Sequence, residues 1–490
     1  MMAKSFTATS PEGTGLPRRR VLLVSYHFPP VGGAGVQRAA KLVKYLRCYG
    51  WDATVLAASN PSVPVLDHSL LADVPSDMLV ARARTWEPGY AVKRSLTAAA
   101  PVAGAGAGAG AGTSAASARL RSALRALAGL ALQPDPQILW APSGLHAGAL
   151  LLEVLPHDAI MATGPSYSNL LLGAWLKELS GLPLLLDFRD EWDLSARYLE
   201  NHARDRFSRS IQGRMQRWVL RRADAIVATT RASARSLADN AREAGSGAIV
   251  SCVYNGFDRT DLERLAASPD IPPPAEGAFR LVYTGTLWNL ADVRPLVEAV
   301  ELLAARDPRA LARLDLALVG RKTPEQQALV ERLARLPCKL HVQGYCEHAG
   351  ALAWMASADA LCVLLSEGQG AERVVPAKLF EYMAMRKEIL AVLPDGEAAD
   401  LVRWCGAGAN YRPSDTAGIA RWLADRLAGA RVTPSATASI DRFSREVLCG
   451  QVAALLDRIS AGRAGARPAR DDGPDFTPDS APADSSSPAN

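Results

Sequence analysis

VLLVS, at residues 21–25, is a continuous apolar run, and the glycine-rich loop VGGAG follows it at residues 31–35. Such a run is typical of a strand that is buried on both faces of a parallel sheet. Apolar residues at helical spacing then predict a helix from Gln37 to Tyr49, and residues 53–56 predict the next strand. This strand–loop–helix–strand unit favours an α/β fold in which ligands bind at the carboxyl ends of the strands.

The same alternation of strands and helices continues along the chain and begins again after the proline-rich stretch 269–274. Two such series predict an α/β protein with two doubly wound, Rossmann-like domains that face each other across a cleft. The predicted divisions are a disordered N-terminus at 1–19, a first domain at 20–268, a linker at 269–274, a second domain at 275–440, a C-terminal helix at 441–462 and a disordered tail at 463–490. Within the first domain we predict an irregular connection at 60–97, a flexible Ala/Gly insertion at 98–118 and a helix at 119–132.

Composition narrows the classes of function. The 490 residues carry a net charge of only +5, which argues against the dense basic face of a nucleic-acid-binding protein. The seven cysteines are scattered and lack zinc-ligand spacing, which favours reduced thiols in a cytosolic protein. Because no strongly apolar run reaches 18 residues, we expect a protein that is cytoplasmic and either soluble or peripheral on the inner face of the cell membrane.

A basic segment at residues 206–222 allows two interpretations. Its apolar residues fall at helical spacing, and six arginines occupy much of the remainder: Phe207, Ile211, Met215, Trp218 and Val219 alternate with Arg206, Arg209, Arg214, Arg217, Arg221 and Arg222. The segment is either an ordinary surface helix packed on its domain or a basic amphipathic helix that contacts anionic lipid headgroups.

PAKLFEYMA, at residues 376–384, predicts a short helix that opens with a proline. Lys378 and Glu381 are three residues apart and therefore project from one face near the start of that helix. A cation beside free backbone N–H groups suits an anion, and a carboxylate one turn later can accept hydrogen bonds from two hydroxyls. A phosphate next to a vicinal diol describes a nucleotide, whereas the simpler interpretation of the pair is a solvated helix face.

Two further segments lie where predicted strands end. The glycines of the 31–35 loop are not a dinucleotide fingerprint, because Arg38 stands where the third glycine is required. The loop is therefore either a bare turn or a place where backbone N–H groups approach an anionic ligand. DFRDEW, at residues 187–192, places charges at the end of another strand, and charges there favour a functional role.

Seven motifs in this order resemble the GT-B glycosyltransferases of the retaining group-1, family 4-like type. They are YHFPPVGGAGVQR at 26–38, TGPSYS at 163–168, DFRDEW at 187–192, RADAI at 222–226, NGFD at 255–258, YTGTL at 283–287 and KLFEY at 378–382. The similarity covers about residues 20–460, apart from the Ala/Gly insertion.

The resemblance implies transfer of a sugar from a nucleotide-sugar donor to a glycan or lipid-linked acceptor, with retention and in bacterial polysaccharide or glycolipid biosynthesis. It places Glu381 on the ribose hydroxyls, Lys378 toward the diphosphate, the 187–192 strand end toward the acceptor, and the last helix across the first domain. The chain has no Asp-x-Asp pair for a divalent metal, so we expect no metal and no cofactor, with Lys378 and Arg321 meeting the leaving-group charge. The implied site residues are, for the donor, Gly32, Gly33, Gly35, Gly285, Thr286, Arg321, Lys378, Leu379 and Glu381; for the acceptor, Gly164, Arg189 and Asp190; and for catalysis, Lys378, Arg321 and Asp190.

The sequence departs from the family pattern at several positions. Arg373 stands eight residues before Glu381, where a first glutamate is common, and Asn169 stands where relatives often carry histidine. No basic residue follows the YTGT motif closely, and MRKE at 385–388 replaces a small, glycine-containing turn. An alternative function is therefore a catalytically silent GT-B module that binds a nucleotide-sugar or a partner transferase. A sugar-nucleotide epimerase of the same fold is a third, less favoured alternative.

Overall fold

The computed structural model describes residues 18–63, 65–87, 89, 132–193, 206–267, 271–432 and 440–461. The predictions for residues 1–17, for the Ala/Gly insertion, for a helix at 119–131 and for the tail at 463–490 fall outside these ranges.

Two parallel sheets organise the described residues. The first contains β1 (Arg19–Val24), β2 (Trp51–Ala58), β3 (Val80–Ala83), β4 (Ala159–Gly164), β5 (Leu184–Phe188), β6 (Ala225–Ala228) and β7 (Ile249–Cys252), in the order β3-β2-β1-β4-β5-β6-β7. The second contains β8 (Phe279–Thr284), β9 (Leu314–Val319), β10 (Lys339–Gln343), β11 (Ala360–Leu364), β12 (Glu388–Val392) and β13 (Gly408–Tyr411), in the order β10-β9-β8-β11-β12-β13. The predicted fold class, two doubly wound α/β domains, is confirmed.

Helices cover both faces of each sheet. In the described residues they are α1 (Ala34–Leu46), α2 (Ala141–Val154), α3 (Ser168–Ser180), α4 (Arg206–Arg222), α5 (Arg231–Glu243), α6 (Arg259–Glu263), α7 (Arg294–Arg306), α8 (Pro308–Leu311), α9 (Pro324–Leu333), α10 (His348–Ala356), α11 (Lys378–Ala384), α12 (Glu397–Trp404), α13 (Thr416–Leu427) and α14 (Arg445–Ser460). Short 3-10 helices lie at Arg47–Tyr49, His68–Asp73, Pro136–Trp140, Arg264–Ala267, Ala371–Arg373 and Ile440–Phe443. None of the helices in these ranges is long and apolar enough to cross a membrane.

The central strands lie in the interior of each sheet because their sequences are continuously apolar. Val21, Leu22 and Val24 of β1 are completely buried, as are all residues of β9 from Leu314 to Leu318. A strand with helices on both faces has no solvent side, so every residue must be apolar or paired. Each sheet reverses its strand order once, between β1 and β4 and between β8 and β11. Ligands in folds of this type bind beyond the carboxyl ends of the strands at those reversals.

The connection between β2 and α2 is more ordered than its sequence predicts. We predicted irregular structure at 60–97, but a 3-10 helix forms at His68–Asp73 and β3 pairs in parallel with β2. The prediction was wrong because β3 is a short edge strand with mostly half-buried residues, and such a strand needs no continuous apolar run. The helices α2 and α5 also had no counterpart among the predicted elements.

Helix α4 begins and ends at the predicted residues but is rotated from the predicted orientation. Phe207, which begins the predicted apolar stripe, is 61% exposed, whereas Ser208, Gln212 and Gln216 are buried. The cause is a polar contact under the helix, where the indole Nε1 of Trp192 donates a hydrogen bond to Gln212. The polar residues that face inward leave part of the apolar stripe at the surface.

Helix α14 lies against the first domain. Ser444 caps its first turn by accepting a hydrogen bond from the N–H of Val447, and Cys449 and Val452 are buried in the core that contains β1 and α1. Near the other end, Asp457 accepts a hydrogen bond of 2.9 Å from the indole Nε1 of Trp51. The last helix therefore spans from the second domain to the first.

Candidate functional site

Lys378 lies at the first position of α11, directly beyond the carboxyl end of the second sheet. Its ammonium Nζ lies 3.9 Å from the centre of the Tyr283 ring, at the end of β8. A cation over an aromatic face is attracted by the ring quadrupole, so Tyr283 fixes the position of the amine. Burial lowers the pKa of Lys378 to about 7. A partly desolvated cation of this kind gains from an incoming anion.

Two glycine turns pack against this lysine. Gly285 follows β8 with φ +120°, and Gly320 follows β9 with φ +130°, a region of backbone conformation that side chains disfavour. A Cβ atom on Gly285 would lie 2.6 Å from Nζ of Lys378, and one on Gly320 would lie 2.2 Å from the carbonyl oxygen of Gly285. Only glycine therefore lets the two strand ends approach each other and the amine. Thr286 and Arg321, which follow these glycines, are both exposed beside them.

Glu381 lies one turn after Lys378 on the same helix. Its carboxylate Oε1 is 2.8 Å from Nε2 of His348, the first residue of α10, and their side chains are 15% and 11% exposed. Burial disfavours the charged form of His348, but the carboxylates of Glu381 and Asp261 together raise its pKa. His348 was not predicted as a site residue, because its contact partners lie far away along the chain and form no local pattern with it.

Leu379 does not line this site. Its side chain is completely buried in the core, and its backbone N–H donates to the carbonyl of Pro376. The prediction that it contacts the donor is therefore wrong for its side chain. Leu379 holds α11 against the sheet, which orients Lys378 and Glu381 on the opposite side.

The glycine loop of the first domain lies across from the second domain. A Cβ atom on Gly32 would lie 2.6 Å from the hydroxyl of Tyr345, which follows β10, and one on Gly35 would lie 2.0 Å from Nη1 of Arg189. Gly33 is exposed and has φ +119°. Gly32 thus lies where the two domains meet, and Gly35 permits a close contact with Arg189 within the first domain.

The predicted acceptor side is built around Arg189. Its Nε donates a hydrogen bond of 3.1 Å to the carbonyl of Gly164, and burial lowers its pKa. Asp190 reaches solvent, but the protein around it desolvates the carboxyl and raises its pKa. Asp187, at the start of the same strand end, does not face the cleft. It is completely buried and binds Nε of Arg38 through both oxygens, so its role is structural.

Arg373 and Glu397 of the second domain contact the first domain at the far side of the cleft. Arg373, which replaces the first glutamate of the family pattern, forms an ion pair of 2.8 Å with Glu191 of the first domain. Glu397, at the start of α12, accepts hydrogen bonds of 2.9 and 3.0 Å from the N–H groups of Arg231 and Ala232. A carboxylate at a helix N-terminus is favourable, so Glu397 caps α5 from the opposite domain.

Within the described residues, one group of three carboxylates has the spacing for a metal ion, namely Asp73, Asp258 and Asp261. The ammonium of Lys41 lies 2.6 to 2.7 Å from all three and already supplies a positive charge. That group is therefore an ion-pair cluster. The expectation of a metal-independent reaction stays a prediction.

Comparison with known proteins agrees with this geometry. Residues 278–428 match the family model described as glycosyl transferases group 1, whereas no curated protein matches the chain by sequence. Among solved structures, an α,α-trehalose-phosphate synthase (UDP-forming) from Burkholderia vietnamiensis is similar with 13% identity, 91% coverage of this chain, 100% of that chain and a TM-score of 0.58. HepE from Anabaena, in complex with UDP and glucose, is similar with 15% identity, 91% and 99% coverage and a TM-score of 0.50. At these identities the structural likeness establishes the fold, and that fold is GT-B.

Proposed function

We propose that this chain, whose residues 278–428 match the family model described as glycosyl transferases group 1, transfers a sugar from a nucleotide-sugar to an acceptor in the cleft between its sheets. The observation that carries the proposal is the meeting of Gly285, Gly320, Lys378 and Glu381 at the strand-order reversal of the second sheet. Backbone that can be approached closely, a buried cation and a carboxylate one turn away suit a diphosphate joined to a ribose.

The donor would lie with its diphosphate against Lys378 and the Gly285 turn and its ribose hydroxyls on Glu381. Thr286 and Arg321 would lie beside the sugar and the β-phosphate, and the loop of Gly32, Gly33 and Gly35 would close over them from the first domain. Charge develops on the leaving diphosphate, and fixed cations in a site closed to water stabilise it. Lys378 and Arg321 would supply this charge in a metal-independent reaction.

The acceptor would enter from the first domain, along Gly164, Arg189 and Asp190. Desolvation raises the pKa of the Asp190 carboxyl, which favours its taking a proton from an acceptor hydroxyl. The resemblance to retaining group-1 enzymes leads us to expect retention of the anomeric configuration. A glycan or lipid-linked acceptor in bacterial polysaccharide or glycolipid biosynthesis fits the same resemblance.

Calorimetry with nucleoside diphosphates tests the donor site. Replacement of Glu381 by alanine removes an acceptor of charge-assisted hydrogen bonds, so we expect binding to weaken by about 1–3 kcal/mol. UDP is the first nucleotide to test, since HepE is described with UDP bound. Glu331→Ala, at an exposed position of α9, is the matched control. Equal affinity of Glu381→Ala and the unmodified protein would remove Glu381 from the donor site.

One observation favours a second candidate function, a GT-B module that binds a nucleotide-sugar without transferring the sugar. Arg373 occupies the position of the first family glutamate and is engaged with Glu191. Assays of donor hydrolysis and transfer across a panel of nucleotide-sugars separate the two candidates. Tight donor binding with neither hydrolysis nor transfer to any acceptor supports the silent module.

The outer face of α4 supports a peripheral position on an anionic membrane surface. Phe207, Arg214 and Arg221 recur every seven residues on the exposed side of the helix. Exposed apolar residues of the adjoining helices, Leu179 of α3 and Val154 of α2, add to the first domain's apolar surface. Basic residues interspersed with apolar ones suit headgroups and the upper acyl region. We place the protein in the cytoplasm, at the inner face of the cell membrane.

A further inference from the structure

His348 is held between the two domains by three carboxylates. Its backbone N–H donates a hydrogen bond of 3.0 Å to Asp67 of the first domain. Its ring Nδ1 lies 3.7 Å from Asp261, also of the first domain, and its ring Nε2 lies 2.8 Å from Glu381 of the second. The side chains of His348, Asp261 and Glu381 are only 11%, 12% and 15% exposed. The imidazole thus forms a bridge from the first domain to Glu381.

The charges around the bridge favour the imidazolium. Glu381 faces the ring from α11 and Asp261 from α6, while Asp67 lies behind it at the cap of a 3-10 helix. The opposing cation is Lys41 of α1, which is bound to Asp261 at 2.7 Å. Two further groups lie nearby. The Tyr345 hydroxyl is 3.4 Å from Asp67. Arg445 of α14 has a pKa that burial lowers and that Glu381 and Asp261 raise in part.

His348 contacts only one of the two carboxylate oxygens of Glu381. His348 binds Oε1, and among the described residues no group donates a hydrogen bond to Oε2. A carboxylate with one oxygen fixed and the other available is restricted in rotation before any ligand arrives. Such restriction lowers the entropy that binding must otherwise remove.

We propose that His348 is the positioning residue for Glu381, which it aims at the ribose hydroxyls of the donor while joining it to Asp261 and Asp67 of the first domain. This inference rests on the proposed function. It makes recognition of ribose depend on a residue that contacts no part of the substrate. It also makes ribose recognition depend on closure, since two of the three partners of His348 belong to the other domain.

We expect His348→Ala to lose selectivity for UDP over 2′-deoxy-UDP. In the unmodified protein, removal of the 2′-hydroxyl deprives Glu381 of one hydrogen-bond donor, so UDP binds more tightly than 2′-deoxy-UDP. In His348→Ala the carboxylate is no longer oriented, and the ratio of the two affinities falls about fivefold to tenfold. The diphosphate contacts of Lys378 are common to both nucleotides and cancel in this ratio.

The inference also predicts the pH dependence of that ratio. Burial lowers the pKa of His348, but the carboxylates of Glu381 and Asp261 outweigh it and raise that pKa, which favours the imidazolium. As pH rises and the ring loses its charge, the bridge weakens and the selectivity for UDP decreases. In His348→Gln the amide Nε2 replaces the ring Nε2 as a donor that cannot titrate. We expect that variant to keep the selectivity and to lose its pH dependence.

The experiment is calorimetric titration of UDP and 2′-deoxy-UDP at pH 6, 7 and 8.5 into the full chain and its variants. His348→Ala, His348→Gln and Glu381→Ala are compared with His146→Ala, an exposed histidine of α2, and circular dichroism verifies folding. The inference is supported if the selectivity for UDP over 2′-deoxy-UDP falls in His348→Ala and is retained in His348→Gln. Unchanged selectivity and pH profile in His348→Ala, while Glu381→Ala loses its selectivity, overturn the inference and leave the proposed function intact. Full selectivity in Glu381→Ala contradicts the proposed function, which places the ribose on Glu381.

Discussion

Lys378, on which the proposed donor site depends, carries a cost in folding free energy. Its amine is packed over Tyr283 and against Gly285, and burial lowers its pKa to about 7 from an ordinary value of 10.5. The unfolded chain keeps the ordinary value. The charged amine therefore costs folding free energy, with the full cost present below pH 7 and lost as pH rises toward 10.5.

Replacement of Lys378 by methionine should stabilise the ligand-free protein. Methionine fills a similar volume without a desolvated charge, so we expect the free energy of unfolding at pH 7 to rise by roughly 1–3 kcal/mol, after allowance for partial exposure. The gain should shrink at pH 9. Urea unfolding at both pH values measures it, and calorimetry should show that nucleoside diphosphate binding is lost. A less stable variant that still binds the nucleotide would mean that the amine is structural.

Site residues whose contact partners lie far away in the sequence are difficult to predict from the sequence. Lys378 and Glu381 could be predicted because they are three positions apart on one helix. His348 contacts both Glu381 and Asp261 only through the packing of three different elements, so no local pattern marks it. Asp187 has the charge and position of a ligand-binding residue, yet Arg38 on α1 turns it into a buried ion pair.

At the scale of elements, apolar periodicity predicted the central strands closely because burial on both faces leaves little freedom in their sequence. It failed for β3, an edge strand, and for the rotation of α4, which depends on a hydrogen bond between Gln212 and Trp192. A polar side chain can be buried when it forms a hydrogen bond there, and the sequence does not show which residue will be its hydrogen-bond partner.

The rotation of α4 leads to a test of membrane binding. Because Phe207 is exposed beside Arg214 and Arg217, the full chain should float with vesicles that contain phosphatidylglycerol, and less at high salt. Arg214→Glu/Arg217→Glu should abolish flotation. Arg309→Glu/Arg313→Glu, at exposed positions of the second domain, is the control with the same change in charge. Equal flotation of both double variants, or of all proteins with neutral vesicles, would refute an electrostatic role for α4.

At the scale of the whole molecule, the two domains share one hydrophobic core around Tyr254 and Phe380, and polar contacts across the cleft add to it. Glu397 caps α5 and Arg373 pairs with Glu191, while His348 bridges the opposite side. The carboxylate of Glu397 at the N-terminus of α5 stabilises the contact between the domains by about 0.3–2 kcal/mol. The free energy of ligand binding can exceed this amount. Such contacts suit a cleft that opens to exchange substrates and closes for the reaction.

Glu397→Ala should shift the molecule toward an open form. We expect a larger radius of gyration in small-angle X-ray scattering, and a return to the smaller value when the nucleoside diphosphate is added. Asp400→Ala is the matched control, since Asp400 lies on the same helix and pairs with the exposed Arg403 of its own domain. Identical scattering of Glu397→Ala and Asp400→Ala would show that this cap does not hold the domains together.

A crystal structure with a bound nucleoside diphosphate would show directly whether the nucleotide binds at the second sheet. We expect the diphosphate beside Lys378 and the Gly285 turn, and a ribose hydroxyl within hydrogen-bond distance of Oε2 of Glu381. A nucleotide seated on the glycine loop of the first sheet instead, with Lys378 and Glu381 untouched, would contradict this expectation.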